Sequence, residues 1–120
     1  MITEVKSKYV PEDFVRVTKD YIFSWDDNKS EATFRDRGLR FDVATHIFEN
    51  VRIECPDYGE GHFDDRDSGE RIYTIGKLRG KRGETDYLVV IFIEESDTKA
   101  RIISARYAQP NERRCYLEYC

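Results

Sequence analysis

The 120-residue chain lacks the signals of several protein classes. It has no run of 18 apolar residues, which a membrane-spanning helix needs, and its first residues lack the apolar stretch of a signal peptide. Its length suits one domain with a modest core rather than two. We therefore expect a soluble, cytoplasmic protein that makes no contact with a membrane.

Cysteine and histidine are scarce, with three and two copies. The cysteines are odd in number and form no C-x-x-C pair, so reduced thiols are favoured over a zinc site. The segment 56–69 is acidic, but Gly69 does not fall where an EF-hand needs its glycine, so a solvated loop is favoured over a calcium site. We expect no metal and no cofactor. The acidic residues of this loop are Asp57, Glu60, Asp64, Asp65 and Asp67.

An overall excess of positive charge is also absent, because the net charge is −4. This balance argues against a protein that coats nucleic acid by bulk electrostatics. The charge is unevenly distributed, since residues 1–70 sum to −7 and residues 71–120 sum to +3. The basic C-terminal half therefore permits a local site for an anion.

Hydrophobic spacing predicts an α+β fold. A short strand at 21–25 is followed by a helix from about Asp27 to Arg37, with Asp26 as N-cap and Gly38 at its C-terminal end. A second helix opens at Phe41, and a charged helical tail begins after Pro110.

Between these helices the pattern alternates, which predicts strands. Arg52 and Glu54 face away from their apolar neighbours on the first of them, and the last three strands are close enough for an antiparallel meander. The predicted strands lie near 51–55, 71–76, 87–94 and 97–107. Residues 1–20 look like an N-terminal extension, and residues 21–120 form the domain.

The last strand and the tail are rich in arginine. Strict alternation places Arg101 and Arg106 on opposite faces of one strand, and Glu112, Arg113 and Arg114 follow. Guanidinium groups match phosphate geometry, so these arginines fit a phosphate-bearing ligand. They also fit a set of ion pairs with the many carboxylates of the chain, and the run alone favours these ion pairs over a ligand site.

Three blocks together resemble the BrnT family of bacterial toxins. The N-terminal block is Phe23-x-Trp25-Asp26-x-x-Lys29, followed by Gly38-x-x-Phe41-x-x-Ala44-x-x-Ile47-Phe48. The middle block is Glu70-Arg71-x-x-x-Ile75-Gly76. The C-terminal block is Arg101-Ile102-Ile103-Ser104-Ala105-Arg106-x-Ala108-x-x-x-Glu112-Arg113-x-x-Tyr116. The resemblance spans about residues 21–117 in order and with compatible spacing.

This resemblance implies a RelE-like fold, with two N-terminal helices packed on an antiparallel sheet and a short C-terminal helix. It also implies a metal-independent endoribonuclease, the toxin of a type II toxin–antitoxin system, which cleaves RNA to arrest translation and growth. Its partner would be a BrnA-like antitoxin, and operator DNA would be reached only through that antitoxin. A homodimer is a further possibility, with the acidic loop of one copy on the arginines of another.

The resemblance also implies the site residues. Arg71 and Arg106 match the family's arginines best and would clamp the phosphate, with Arg101 next and Lys29 as a further cation. Glu112 would act as a base or orient Arg113. Arg79, Arg113 and Arg114 would bind RNA, and an acidic antitoxin segment would lie across the arginines and the 111–117 tail.

The chain departs from the family along its first helix. Many relatives carry Asn, then Lys-His-Gly, where this chain has Thr33, Asp36, Arg37 and Gly38. A histidine is a natural proton shuttle near neutral pH, and arginine cannot replace it in that role. An alternative therefore stays open, in which the chain is a catalytically degenerate binding module that acts through a protein partner.

Overall fold

A six-stranded sheet is the centre of the structure, a computed structural model that describes residues 14–56, 71–80 and 82–119. Its strands are β1 (Val15–Val17), β2 (Ile22–Ser24), β3 (Arg52–Pro56), β4 (Arg71–Arg79), β5 (Thr85–Glu94) and β6 (Lys99–Tyr107). They lie side by side in the order β1-β3-β4-β5-β6-β2. The helices are α1 (Asp27–Arg37), α2 (Phe41–Ala44) and α3 (Pro110–Tyr119), with a 3₁₀ helix (Thr45–Glu49) directly after α2.

The mixed α+β class is confirmed, but the order of elements differs from the prediction. Two strands precede α1, and β2 pairs with β6 in parallel, so the sheet is not wholly antiparallel. The predicted β3 to β6 are present, and β3, β4, β5 and β6 are antiparallel neighbours. Of the predicted acidic loop at 56–69, Pro56 is the last residue of β3, and residues 57–69 lie outside the described residues.

Apolar side chains cover both faces of the sheet. On one, the α2 face, Phe41 and Phe48 pack on Leu88, Val90 and other strand residues. On the other, the α3 face, Tyr116 packs on Tyr73, Ile75 and Val89. Burial on both sides explains why β5 reads as a nearly continuous apolar run.

Helix α1 has the bounds that its sequence predicts. The Asp26 carboxylate accepts hydrogen bonds from the backbone N–H of Asn28 and Lys29, which satisfies two donors of the first turn. Gly38 has φ +74°, a left-handed conformation that ends the helix at little cost for glycine. Local chemistry therefore fixes both ends of this helix.

The second predicted helix is shorter than its pattern suggests and tightens into the 3₁₀ helix. The 3₁₀ helix lies very close to strand β4. A Cβ on Gly76 of that strand would be only 2.8 Å from the Ile47 Cβ. Glycine is therefore required on β4 at the point where the 3₁₀ helix rests on it.

The β1–β2 link requires a strongly curled sheet. β1 and β2 lie at opposite edges, which a flat sheet of six strands would separate by roughly 24 Å. The link Thr18–Tyr21 reaches at most about 18 Å. It crosses the α2 face, where Tyr21 packs on Phe48 and Phe92.

Candidate functional site

An irregularity in β6 decides where its arginines point. The pairing of β6 with β5 shifts register between Ile91 and Phe92, which is a β-bulge that leaves Ile103 as the extra residue. Ala100, Ile102 and Ala105 consequently all pack in the core of the α2 face. Arg101 and Arg106 therefore both point to the α3 face, and the prediction that they lie on opposite faces is wrong.

Arg71 joins them on that face. It is paired with Ile93, which is in turn paired with Arg101, so two strand spacings, roughly 10 Å, separate the two arginines. Arg106 is paired with Val89, four residues along β5 from Ile93, or roughly 13 Å. We call Arg71, Arg101 and Arg106 the arginine face. All three are half-buried.

Glu112 holds Arg106 in place from the first turn of α3. The two Arg106 Nη atoms donate to the two Glu112 carboxylate oxygens, each at 2.7 Å. The Gln109 backbone N–H donates to the same carboxylate at 2.8 Å, and the buried Tyr73 hydroxyl donates to it as well. Four hydrogen bonds therefore converge on one buried carboxylate.

These bonds keep Glu112 ionised. Burial by itself would raise the pKa of Glu112, but the hydrogen bonds from Arg106, Gln109 and Tyr73 outweigh it and lower that pKa below its ordinary value. The Glu112 carboxylate likewise raises the pKa of Arg106. The arginine that Glu112 orients is thus Arg106, whereas Arg113 stacks elsewhere, on Tyr87.

The other two arginines have different surroundings. The Arg101 Nε donates to the Glu95 carboxylate at 3.2 Å, and both side chains of this ion pair are partly exposed to solvent. Ser104 is paired with Ile91, one step further along the same face, and brings a hydroxyl between Arg101 and Arg106. The site thus combines three cations, a hydroxyl and an ionised carboxylate.

The remaining predicted cations lie on other elements. Lys29 is exposed in the first turn of α1, and no carboxylate among the described residues pairs with its ammonium group. Arg79 is exposed at the end of β4, and Arg114 is exposed on α3. Arg113 lies over the Tyr87 ring, 5.8 Å from its centroid.

Sequence reasoning missed two contributors. Tyr73 lies two residues after Arg71, so the period of a strand places it on the arginine face, and that signal was available. Arg37, at the C-terminal end of α1, donates from Nη1 to the Ala105 carbonyl at 2.9 Å. It thereby docks the end of α1 on β6 beside Arg106.

The described residues meet neither the requirements of a metal site nor those of a membrane-spanning helix. Among residues 14–56, 71–80 and 82–119, no group of three or more His, Cys, Asp or Glu side chains is arranged to hold a metal ion. Within the same ranges, no helix has the length and apolarity needed to cross a membrane.

A family model described as ribonuclease toxin, BrnT, of type II toxin-antitoxin system matches residues 25–112. The chain belongs to the BrnT family. The matched range contains Lys29, the whole arginine face and Glu112. Strands β1 and β2 precede this range, and Arg113 follows it. Membership of this toxin family implies an antitoxin partner. A comparison with individual curated proteins gives no match.

Proposed function

We propose that this BrnT-family chain is a metal-independent endoribonuclease that cleaves RNA to arrest translation and growth. The observation that carries the proposal is the placement of Arg71, Arg101 and Arg106 on one face of the sheet, together with the family match. In such cleavage the 2′-hydroxyl loses its proton to a base and attacks the adjacent phosphate, and negative charge builds up on the phosphorane oxygens. The P–O5′ bond then breaks, and the 5′-oxygen leaves with a proton from an acid or from water, so that a 2′,3′-cyclic phosphate remains. Fixed guanidinium groups stabilise that charge more than the ground state.

In this proposal each residue has a distinct role. Arg71 and Arg101 flank the reacting phosphate, and Lys29 contributes a further cation from α1. Glu112 is a positioning residue, because its carboxylate is engaged with Arg106. His46 cannot serve as the proton shuttle here, since it pairs with Glu49 on the 3₁₀ helix at the opposite layer. The contribution that the proposal assigns to the described residues is therefore charge stabilisation by the arginines.

The partners follow from the same proposal. A BrnA-like antitoxin lays an acidic segment across the arginine face and the start of α3, and it alone contacts operator DNA. Desolvated arginine–carboxylate pairs would then dominate the affinity. A homodimer in the absence of antitoxin, a RelE-like helix arrangement and a cytoplasmic location belong to the proposal as well.

Cleavage of RNA in the presence of EDTA tests the enzymatic proposal. Arg71→Ala should slow cleavage about a hundredfold or more, the scale for loss of one transition-state donor, and Arg106→Ala should do the same. Arg16→Ala, which removes an exposed charge from the edge strand β1, is the matched control and should leave the rate unchanged. Folded Arg71→Ala and Arg106→Ala proteins with undiminished cleavage would contradict the site assignment.

One observation favours a second candidate function, a binding module without catalysis. Both Nη atoms of Arg106 are already bound to Glu112, and the family's Lys-His is Asp36-Arg37 in this chain. Such a module would bind an antitoxin-like protein but neither cleave RNA nor stop growth. Induced expression with and without the neighbouring reading frame separates the two candidates by growth alone.

A further inference from the structure

We propose a second RNA-binding surface, separate from the arginine face, that holds nucleotides flanking the cleaved bond. It consists of Lys77, Arg79 and Tyr87 on the β4–β5 hairpin and Arg113 on α3, and we call it the hairpin platform. This inference rests on the proposed function, since it names the part of the substrate that the surface would bind.

An aromatic ring is at the centre of the hairpin platform. Tyr87 is half-buried, with one side packed against the Tyr116 ring at 5.4 Å between centroids. The Arg113 guanidinium lies over the Tyr87 ring, 5.8 Å from its centroid. Lys77 is the direct partner of Tyr87 across the β4–β5 ladder, so its stem lies beside the ring on the same face.

The cations of the hairpin platform lack counter-ions within the described part of the chain. No carboxylate there forms an ion pair with Lys77, Arg79 or Arg113. Two carboxylates are nearby in sequence, but both are directed elsewhere. Asp86 is paired with Leu78 and so points to the opposite face, and the Glu84 side chain folds over Gly80 in the hairpin turn.

The hairpin platform is next to the arginine face. Arg106 and Val89 form one row across the α3 face, and Tyr87 with Lys77 forms the next row, roughly 7 Å further along the strands. The Ala108 N–H donates to the Tyr87 carbonyl at 2.8 Å, which ties this row to the end of β6. An RNA strand that leaves the arginine face and passes the start of α3 therefore reaches Tyr87 after roughly 7 Å, the spacing of one row.

This combination suits single-stranded RNA better than a protein partner. Unpaired cations track a phosphate backbone, and aromatic rings or guanidinium planes provide stacking platforms for bases. An acidic peptide would use the cations but would leave the exposed side of the Tyr87–Arg113 stack without a planar partner.

Fluorescence anisotropy with a labelled 2′-O-methyl oligouridine of twelve nucleotides tests the hairpin platform without cleavage. Tyr87→Leu should weaken binding about tenfold through loss of base stacking. Tyr107→Leu is the control, because Tyr107 is an exposed tyrosine on the opposite face of the sheet, and the affinity of this variant should stay at the wild-type value. Tyr87→Phe keeps the ring and should keep the affinity.

The salt dependence of RNA binding gives a second readout, and it uses a substitution that leaves the aromatic packing intact. Lys77→Ala should reduce the slope of log affinity against log salt by about 0.7, the value for one contact with single-stranded nucleic acid. Equal effects of Tyr87→Leu and Tyr107→Leu, with an unchanged slope for Lys77→Ala, would overturn the platform. Loss of antitoxin binding with unchanged RNA affinity in these variants would instead identify a protein interface and would also overturn it.

The two proposals fail in different ways. A wild-type protein that binds the oligonucleotide through Tyr87 but does not cleave RNA would contradict the proposed enzymatic function and leave the hairpin platform in place. A protein that cleaves RNA but shows no dependence on Tyr87 or Lys77 would contradict only the platform.

Discussion

Two arginine–glutamate pairs, one on each face of the sheet, differ in how completely their polar groups are satisfied. On the α2 face, the Arg52 Nε donates to Glu54 at 2.6 Å, and the Arg52 side chain is 0% exposed. Among the described residues, neither Arg52 Nη atom has a hydrogen-bond partner. On the α3 face, Glu112 receives four hydrogen bonds, and the Arg106 side chain is 34% exposed.

The two carboxylates respond in opposite directions. The side chains of Glu54 and Glu112 are almost equally buried, at 10% and 6% exposure. Burial raises the pKa of Glu54 in spite of Arg52, whereas the pKa of Glu112 is lowered by its donors in spite of burial. The number of donors aimed at a buried carboxylate, rather than burial alone, thus decides the direction in which its pKa shifts.

Removal of Glu54 should have the largest effect on stability. Glu54→Ala leaves the Arg52 guanidinium buried over the Phe48 ring with no counter-charge, which should lower the free energy of unfolding by about 3–5 kcal/mol. Urea denaturation measures the change, and Glu49→Ala on the exposed 3₁₀ helix is the control, with a loss below about 1 kcal/mol.

The double variant Arg52→Met/Glu54→Leu sharpens this test. Replacement of both partners by apolar side chains removes the unsatisfied Nη atoms, so stability should equal the wild-type value or exceed it by about 1–4 kcal/mol. A double variant as unstable as Glu54→Ala would show that Arg52 is held by contacts other than its carboxylate.

Neutralisation of Glu112 should cost less. Glu112→Gln keeps the shape but removes the charge-assisted bonds, and Arg106 can turn toward solvent, so we expect a loss of about 1.5–3 kcal/mol in the same urea assay. RNA cleavage should fall as well if Glu112 positions Arg106. Wild-type cleavage in a folded Glu112→Gln protein would show that Arg106 needs no such support.

Tyr73→Phe should have a smaller effect again. It removes one of the four hydrogen bonds to Glu112 and no packing, so the loss of stability should be about 1 kcal/mol. Because the Tyr73 hydroxyl helps to lower the pKa of Glu112, that pKa should rise in the variant, which carbon-detected NMR titration can follow. An unchanged Glu112 titration would exclude this contribution.

The smallest effect concerns pH. Glu112 has a folded-state pKa below its ordinary value of 4.5, so the stability it contributes is present above 4.5 and is lost as the pH falls through the folded-state pKa. Glu54 has a folded-state pKa above 4.5, so its contribution is present below 4.5 and is lost as the pH rises through the folded-state pKa. Urea midpoints measured from pH 3 to pH 7 should therefore lose acid sensitivity in Glu112→Gln and gain it in Glu54→Gln, and changes of the same sign in both would contradict the comparison.

Sequence reasoning succeeded where structure is determined locally. The ends of α1 follow from Asp26 and Gly38, whose capping chemistry needs no tertiary contact. The alternation in β3 correctly placed Arg52 and Glu54 opposite Ile53 and Cys55. It could not reveal that the 3₁₀ helix and the β1–β2 link bury that side too, because alternation describes one strand and not what covers it.

The arrangement of the site was less accessible. Arg71, Arg101 and Arg106 were named from the family pattern, but their common face depends on one extra residue in β6, and a bulge has no reliable sequence signal when no glycine marks it. The partners of Glu112 lie on β4, β6 and the turn before α3, so only the assembled sheet brings them together.

The link between β1 and β2 sets an order of events during folding. Lys19 in this link pairs with Glu94, 75 positions away, and β2 completes its hydrogen bonds only when β6 is in place. Contacts between positions so distant in sequence form slowly, because the intervening chain must first be ordered. Strand β2 is thus synthesised before β6 but docks only after it, and β6 is the strand that carries Arg101 and Arg106. A ribosome must therefore have synthesised the chain through β6 before the site that we assign to RNA can exist.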